Sequence, residues 1–210
     1  APLTAGVIAV PAVPVAERRV TSVLFGDLVG FTPLSESRDA EEVRELLSAY
    51  FAQCRVVIGR YGGVVEKFIG DAVMAVWGVP VAHEDDAERA VRAGLELVAA
   101  VAAMGEDLGI PELAMRVGVV TGEVAVTLGV EAEGMVSGDA VNTAARVQSV
   151  AEPGRVWVDE TTRSLASAMC GQTSVSISLV ALEVRRRSSG RLHRAQPLWR
   201  SRCTRSALTT

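Results

Sequence analysis

Lysine is almost missing from this 210-residue chain: Lys67 stands alone beside 20 arginines. Aromatic residues make up 4% of the sequence, cysteines number three and histidines two. Cys54, Cys170 and Cys203 are odd in number and form no CxxC pair, which excludes a disulfide framework and a zinc ribbon and fits a reducing cytosol. His83 and His193 lie far apart and read as surface residues, not as metal ligands. No stretch reaches the roughly 18 uninterrupted apolar residues of a transmembrane helix, so the expected location is cytoplasmic. The apolar opening Ala1 to Val15 is broken by Pro2, Pro11 and Pro14 and lacks a basic leader. Residues 1–16 therefore read as a linker, with other domains of a longer protein expected beyond this chain.

What is present is a hydrophobic content of 49%, enough to exclude a disordered or collagen-like polymer and to support one globular domain. Charge is unevenly placed. Residues 1–169 carry 12 Arg and one Lys against 24 acids, net −11, whereas residues 170–210 carry 8 Arg against Glu183, net +7. An acidic body is a poor partner for a phosphate backbone, so no nucleic acid is expected on the main domain, 17–169. The basic segment 170–210 reads as one or two closing strands, including Gln196 to Arg200, and then a solvated tail.

Hydrophobic periodicity predicts a strand over Arg18–Leu28 and an amphipathic helix over Asp39–Tyr61, stopped by Gly62-Gly63. Two short apolar runs, Val64–Phe68 and Ala72–Trp77, flank Ile69-Gly70-Asp71 as a hairpin flanks its turn. A second helix is expected over His83–Met104. Two strands, Met115–Val120 and Glu123–Leu128, are expected to pivot on Thr121-Gly122, with a loop over Gly129–Ser137 after them. A helix from Asp139 to about Val150, a strand over Arg155–Val158, a short helix over Glu160–Ala168 and a strand through Val175, Ile177 and Leu179 complete the pattern. Strands interleaved with helices and joined by hairpins imply an α+β fold, helices packed on a largely antiparallel sheet.

Three groups of residues carry chemistry. Asp27 and Asp71 each close an apolar strand, and two carboxylates on neighbouring strand ends can hold hard divalent cations. Lys67, the single ammonium, shares an alternating strand with Val65 on one face and Glu66 on the other; a compact donor of this kind can reach one ring nitrogen of a base. Asn142 and Arg146 lie four apart on one helix face, where the guanidinium suits phosphate oxygens and the amide a sugar or a water. Backbone amides of the Gly26–Thr32 turn can cradle a phosphate. Taken singly, each group also has a plain structural reading: aspartates that cap turns, a solvated strand lysine, a solvent-facing helix pair.

Together, Val23-Leu24-Phe25-Gly26-Asp27-Leu28-Val29-Gly30-Phe31-Thr32, Glu66-Lys67-Phe68-Ile69-Gly70-Asp71-Ala72, Arg116-Val117-Gly118-Val119-Val120-Thr121-Gly122 and Gly138-Asp139-Ala140-Val141-Asn142-Thr143-Ala144-Ala145-Arg146 resemble, in order and spacing, the catalytic domain of class III nucleotidyl cyclases. The resemblance spans roughly residues 18–168. It implies a ferredoxin-like α+β sandwich and the closure of a purine nucleoside triphosphate, ATP or GTP, to a cyclic 3',5' monophosphate and pyrophosphate. It further implies Asp27 and Asp71 as ligands of two divalent ions, Mg or Mn, and Lys67, Met135, Phe31 and Thr32 as nucleotide-binding residues. Asn142 is implied as the ribose orienter and Arg146 as the transition-state arginine. The family builds its sites between two domains packed head to tail, so a homodimer with shared sites is implied. Met135 stands where the family usually has an Asp or Thr that accepts from the adenine amino group, and a thioether is a feeble acceptor. Two readings follow: a cyclase whose product is most readily cyclic AMP, or a catalytically weak cyclase-like module that binds nucleotide or a partner domain as a regulator.

Overall fold

The computed structural model describes residues 15–128, 136–167 and 177–179. The first strand, β1 (Val15–Val29), passes at Gly30 into α1 (Phe31–Glu36) and then α2 (Ala40–Arg60). The Asp39 carboxylate opens α2 by accepting the Glu41 amide at 2.9 Å, with Glu41 and Glu42 placed at the positive end of the helix. β2 (Val64–Ile69) and β3 (Ala72–Trp77) form a hairpin that turns at Gly70-Asp71. After it come α3 (Asp86–Asp107), β4 (Ala114–Leu128), β5 (Val136–Ser137), α4 (Asp139–Val150), β6 (Val156–Val158), α5 (Glu160–Ser167) and β7 (Ile177–Leu179).

The strands form one sheet of order β2-β3-β1-β4-β6-β7, with β5 paired on β4. Pairings of β1 with β3 and β4, of β2 with β3 and of β4 with β5 are antiparallel, while β4–β6 and β6–β7 are parallel. This is the expected α+β arrangement of helices on a largely antiparallel sheet. Alternation along β1 supplies both cores: Leu24 and Leu28 face α2 and α3, whereas Val23 and Phe25 face α4. Trp77 lies fully buried on the first face, its indole N–H donating to the Tyr61 carbonyl at 3.0 Å, and Cys54 packs into the buried face of α2. Among the described residues no helix is long and apolar enough to cross a membrane.

Three expectations change. β4 is one strand, not two pivoting on Thr121-Gly122: it pairs with β1 in unbroken register, Ser22 opposite Thr121 and Thr21 opposite Gly122. The Thr121 hydroxyl is held inside the fold by Ser22 at 2.8 Å and by Thr162 at 2.9 Å, which a turn would forfeit. Residues 26–29 are likewise strand, so the expected Gly26–Thr32 turn shrinks to Gly30 and the first turn of α1. The second helix begins at Asp86 and not at His83, because the Asp86 carboxylate accepts the His83 amide at 2.7 Å and holds the preceding chain outside the helix. The expected linker 1–16 loses its last two residues, because Val15 and Ala16 already pair with Leu128 and Thr127 in the β1–β4 ladder; residues 1–14, Met135, Val175 and the tail from residue 180, with its expected closing strand at Gln196–Arg200, lie outside the described residues.

Helix α4 sits unusually close to the sheet, and two glycines of β4 permit it. A Cβ at Gly122 would stand 3.1 Å from the Ala140 Cβ; one at Gly118 would meet the Gln148 nitrogen at 2.5 Å and the Ala144 oxygen at 2.8 Å. Those last two atoms are backbone and cannot swing aside. Gly118→Ala is therefore expected to cost about 1–3 kcal/mol of stability by overpacking, read as a lower urea midpoint at unchanged slope. An unchanged midpoint would mean that α4 is free to lift off the sheet.

Candidate active site

Strand and turn bring the two aspartates together. Asp27 lies in β1 on the α4 face, one position beyond the Gly26–Val73 pair, and Asp71 lies at the turn entering β3. Their carboxyls interact directly: the Asp71 pKa is raised, first by burial and next by the negative charge of Asp27. Hydrogen bonds from the Asp71 and Leu28 amides act in the opposite sense, favouring the carboxylate. A pair of partly buried, mutually repelling oxygen donors fits a hard divalent cation, whose charge relieves the repulsion. Among the described residues no cluster of three or more His, Cys, Asp or Glu side chains could hold a metal ion.

Two side chains that sequence reasoning did not single out grip Asp27. Arg116 is its cross-strand partner on β4 and donates to Oδ2 from Nη2 at 2.9 Å and from Nε at 3.3 Å. Gln148, from α4, reaches the same oxygen with Nε2 at 3.4 Å. Arg116 heads one of the matching sequence stretches, but its partner becomes visible only once the β1–β4 register is known. Beneath the pair, the buried Tyr50 hydroxyl of α2 has its pKa pushed far up, chiefly by burial, then by neighbouring Cys54, with Asp71 and Asp27 adding to the rise.

Lys67 is placed differently from expectation. A β-bulge between Val65 and Lys67 sets Val65 opposite Ala75 but Lys67 opposite Met74, whose side chains belong to different faces of the sheet. Lys67 therefore does not share a face with Val65; the extra residue turns it to the α4 face, the face of Asp27. Glu66, at the bulge, is buried.

Asn142 and Arg146 project from α4 as expected, and both are exposed. The Arg146 guanidinium contacts its own helix, donating to Thr143 Oγ1 at 3.0 Å and lying 3.9 Å from Asp139, with 64% of the side chain exposed. Phe31 is half-buried and Thr32 exposed in α1. A cleft of ≈ 360 Å³ between α1 and α2 takes in Phe31, Leu34 and Leu46 but neither aspartate. Within one chain, the structure unites Asp27 with Asp71 and puts Lys67 on the same sheet face, while Asn142 and Arg146 point to solvent.

Residues 13–188 match the profile of the adenylate and guanylate cyclase catalytic domain. The chain is 35% identical over 141 residues to adenylate cyclase 1 of Rhizobium meliloti, covering 64% of this chain and 21% of that protein. A further Rhizobium meliloti protein, uncharacterized R02095, is 38% identical over 154 residues, 71% of this chain and 15% of its own length. The chain thus spans only between about a seventh and a fifth of these relatives' length. Among solved structures, the guanylyl cyclase Cya2 superposes with TM-score 0.66 at 36% identity, over 72% of this chain and 80% of that one. The adenylyl cyclase CyaB of P. aeruginosa superposes with TM-score 0.67 at 30% identity, over 73% and 83%. With the carboxylate pair, the sheet order and the matched motifs all in agreement, the chain belongs to the class III adenylyl and guanylyl cyclase catalytic domains.

Proposed function

We propose that this domain is a homodimeric, cation-dependent purine nucleotidyl cyclase that converts ATP to cyclic AMP and pyrophosphate. The observation that carries the reading is that β1 and the β2–β3 turn set Asp27 and Asp71 close enough for the Asp27 charge to raise the Asp71 pKa. In the reaction, the ribose 3'-oxygen bonds to the α-phosphorus, the bond from that phosphorus to the bridging oxygen breaks, pyrophosphate leaves and the hydroxyl proton passes to solvent. Two Mg²⁺ or Mn²⁺ ions, when held by Asp27 and Asp71, lower the pKa of the attacking hydroxyl and offset triphosphate charge.

The chain's own groups do the rest. The amides of Phe31 and Thr32, first in α1 and without partners inside the helix, donate to phosphate oxygens. Lys67 and Met135 meet the purine, and Asn142 orients the ribose. Arg146 faces the charge that develops on the transferred phosphoryl group, a permanent cation that needs no proton of its own to act. Arg146 is exposed and, among the described residues, its ion pair and side-chain hydrogen bond lie along its own helix, which supports its serving a site completed by the aspartates of a second copy.

ATP is assigned over GTP because Rhizobium meliloti and Anabaena cylindrica relatives are adenylate cyclases. Purified protein given ATP and GTP with Mn²⁺ is expected to release cyclic AMP as the larger product, resolved by chromatography. A larger cyclic GMP yield would reverse the purine assignment. No cyclic product from either, with nucleotide still bound, would make the domain a regulator.

A further inference from the structure

Neither the side chains of the α1–α2 cleft nor the basic C-terminal segment has a part in the chemistry described above. We propose that the two belong together: the cleft is the seat of this chain's own residues 191–202, which its apolar floor and acidic rim hold. The docking does not depend on the cyclase reading, and of the nucleotide-binding residues it touches only Phe31, through the ring.

The cleft encloses ≈ 360 Å³, within the range of about 300–1,000 Å³ at which proteins bury ligands. Its floor is apolar. Phe31 and Leu34 of α1, Leu46 of α2, and Leu108 and Ile110 of the segment between α3 and β4 line it, and Leu108 is left 48% exposed. Helix α1 has no fully buried residue, so a segment seated here supplies cover that the helix lacks. Arg38, Glu42 and Glu45 stand at the same opening. Residues 36–45 and 106–112 carry eight exposed acids against Arg38 and Arg44, net −6. Both arginines are already engaged, Arg38 with Glu42 at 3.5 Å and Arg44 with Glu41 at 3.9 Å. No lysine or arginine occurs between Arg92 and Arg116. The rim therefore draws a polycation.

The C-terminal segment has the complementary pattern. Residues 180–210 carry eight arginines against Glu183, and within 191–202 four of them are interleaved with Leu192, Leu198 and Trp199. Leucine and indole suit the floor, whereas guanidinium groups suit the carboxylates of the rim in forked pairs. Reach is sufficient. β7 ends at Leu179, two places along the sheet from β4, and β4 follows directly on the segment that lines the cleft. Extended, residues 180–190 span up to about 36–40 Å, against about 10 Å for two strand spacings. Because the segment is tethered, its effective concentration is on the order of millimolar, and a contact that is weak between separate molecules suffices. This assigns residues 196–200 to the cleft and not to a closing strand beside β7.

The test uses the full chain carrying Cys170→Ser, with nitroxide labels on Cys203 and on the thiol introduced by Ser48→Cys at an exposed position of α2, and reads their separation by pulsed electron paramagnetic resonance. Cys54 is fully buried and takes no label. At low salt one narrow distance is expected. At ~1 M NaCl, where the screening length falls to about 3 Å, that distance is expected to give way to a broad distribution. Glu42→Arg with Glu45→Arg, both exposed and outside the catalytic machinery, should abolish it at low salt too. Dilution of labelled chains into an excess of unlabelled chain should preserve it. A broad distribution at low salt without the charge reversal would overturn the proposal and leave the tail to an external polyanion, nucleic acid or an anionic membrane. A narrow distance indifferent to both salt and charge reversal would overturn it in favour of another seat, the edge of β7 included. Loss of the narrow distance on dilution would give the cleft to the tail of a second copy and overturn the intrachain docking.

Discussion

Asp71→Asn is expected to abolish cyclisation and, in metal-free buffer at neutral pH, to leave the protein more heat-resistant than wild type. Loss of activity follows from removal of a cation-holding oxygen charge, worth on the order of 10²–10³-fold or more in kcat. The gain in stability follows from the raised pKa of Asp71, caused first by burial and then by the charge of Asp27. Because the folded-state pKa exceeds the unfolded one, ionisation of Asp71 opposes folding. The penalty is absent below the ordinary carboxyl range near pH ~4, grows as the pH rises toward the raised value, and stays constant above it. Asparagine carries no such charge, can still accept the Leu28 amide and can donate to Asp27. Its melting midpoint should therefore match wild type at acid pH and exceed it by a few degrees at pH ~7, on the scale of 2–4 °C per kcal/mol for a chain of this size. Added Mn²⁺ should raise the wild-type midpoint and leave the variant unmoved. A variant less stable than wild type at neutral pH would show that the Asp71 charge is already compensated without a cation.

Mixing two inactive proteins is expected to restore activity. Asp27→Ala removes a cation ligand and Arg146→Ala removes the phosphoryl-facing charge, and each homodimer then lacks one of them at both sites. In a mixed dimer with shared sites, one site carries both substitutions and the other carries neither. Random exchange of equal amounts puts half the dimers in the mixed form with one intact site each, so about a quarter of wild-type activity should return. The yield should follow the fraction of mixed dimers, measured by tagging one variant. Verified mixed dimers without activity would mean that the aspartates and Arg146 of one chain serve the same site. The rest position of Arg146, along its own helix and 64% exposed, is the structural ground for expecting recovery.

Much of the site was legible in the residues themselves. Apolar runs ending in Asp27 and Asp71, and the four-residue spacing of Asn142 and Arg146, follow from local periodicity, which reports the strand, the hairpin and the exposed helix face directly. Thr121-Gly122 was misleading for a local reason as well. A Thr-Gly pair resembles a turn, yet its glycine is there to admit α4 and its threonine hydroxyl is held by β1 and α5. The face of Lys67 was not legible, since one extra residue in the β2 ladder reverses alternation and leaves no mark in composition.

The sequence alone determined the long helices and most strands, the α+β class and the candidate acids, lysine and arginine of the site, because these depend on residue type and on neighbours within a turn or a strand, whereas α1 and β5 were not expected from it. Only the tertiary structure decided what each acid touches. Arg116 and Gln148 meet Asp27 from 89 and 121 residues away, through a strand register and a glycine-permitted helix approach. Charge compensation at the aspartate pair is a property of that packing, since Coulomb interaction depends on distance in space and not on separation along the chain.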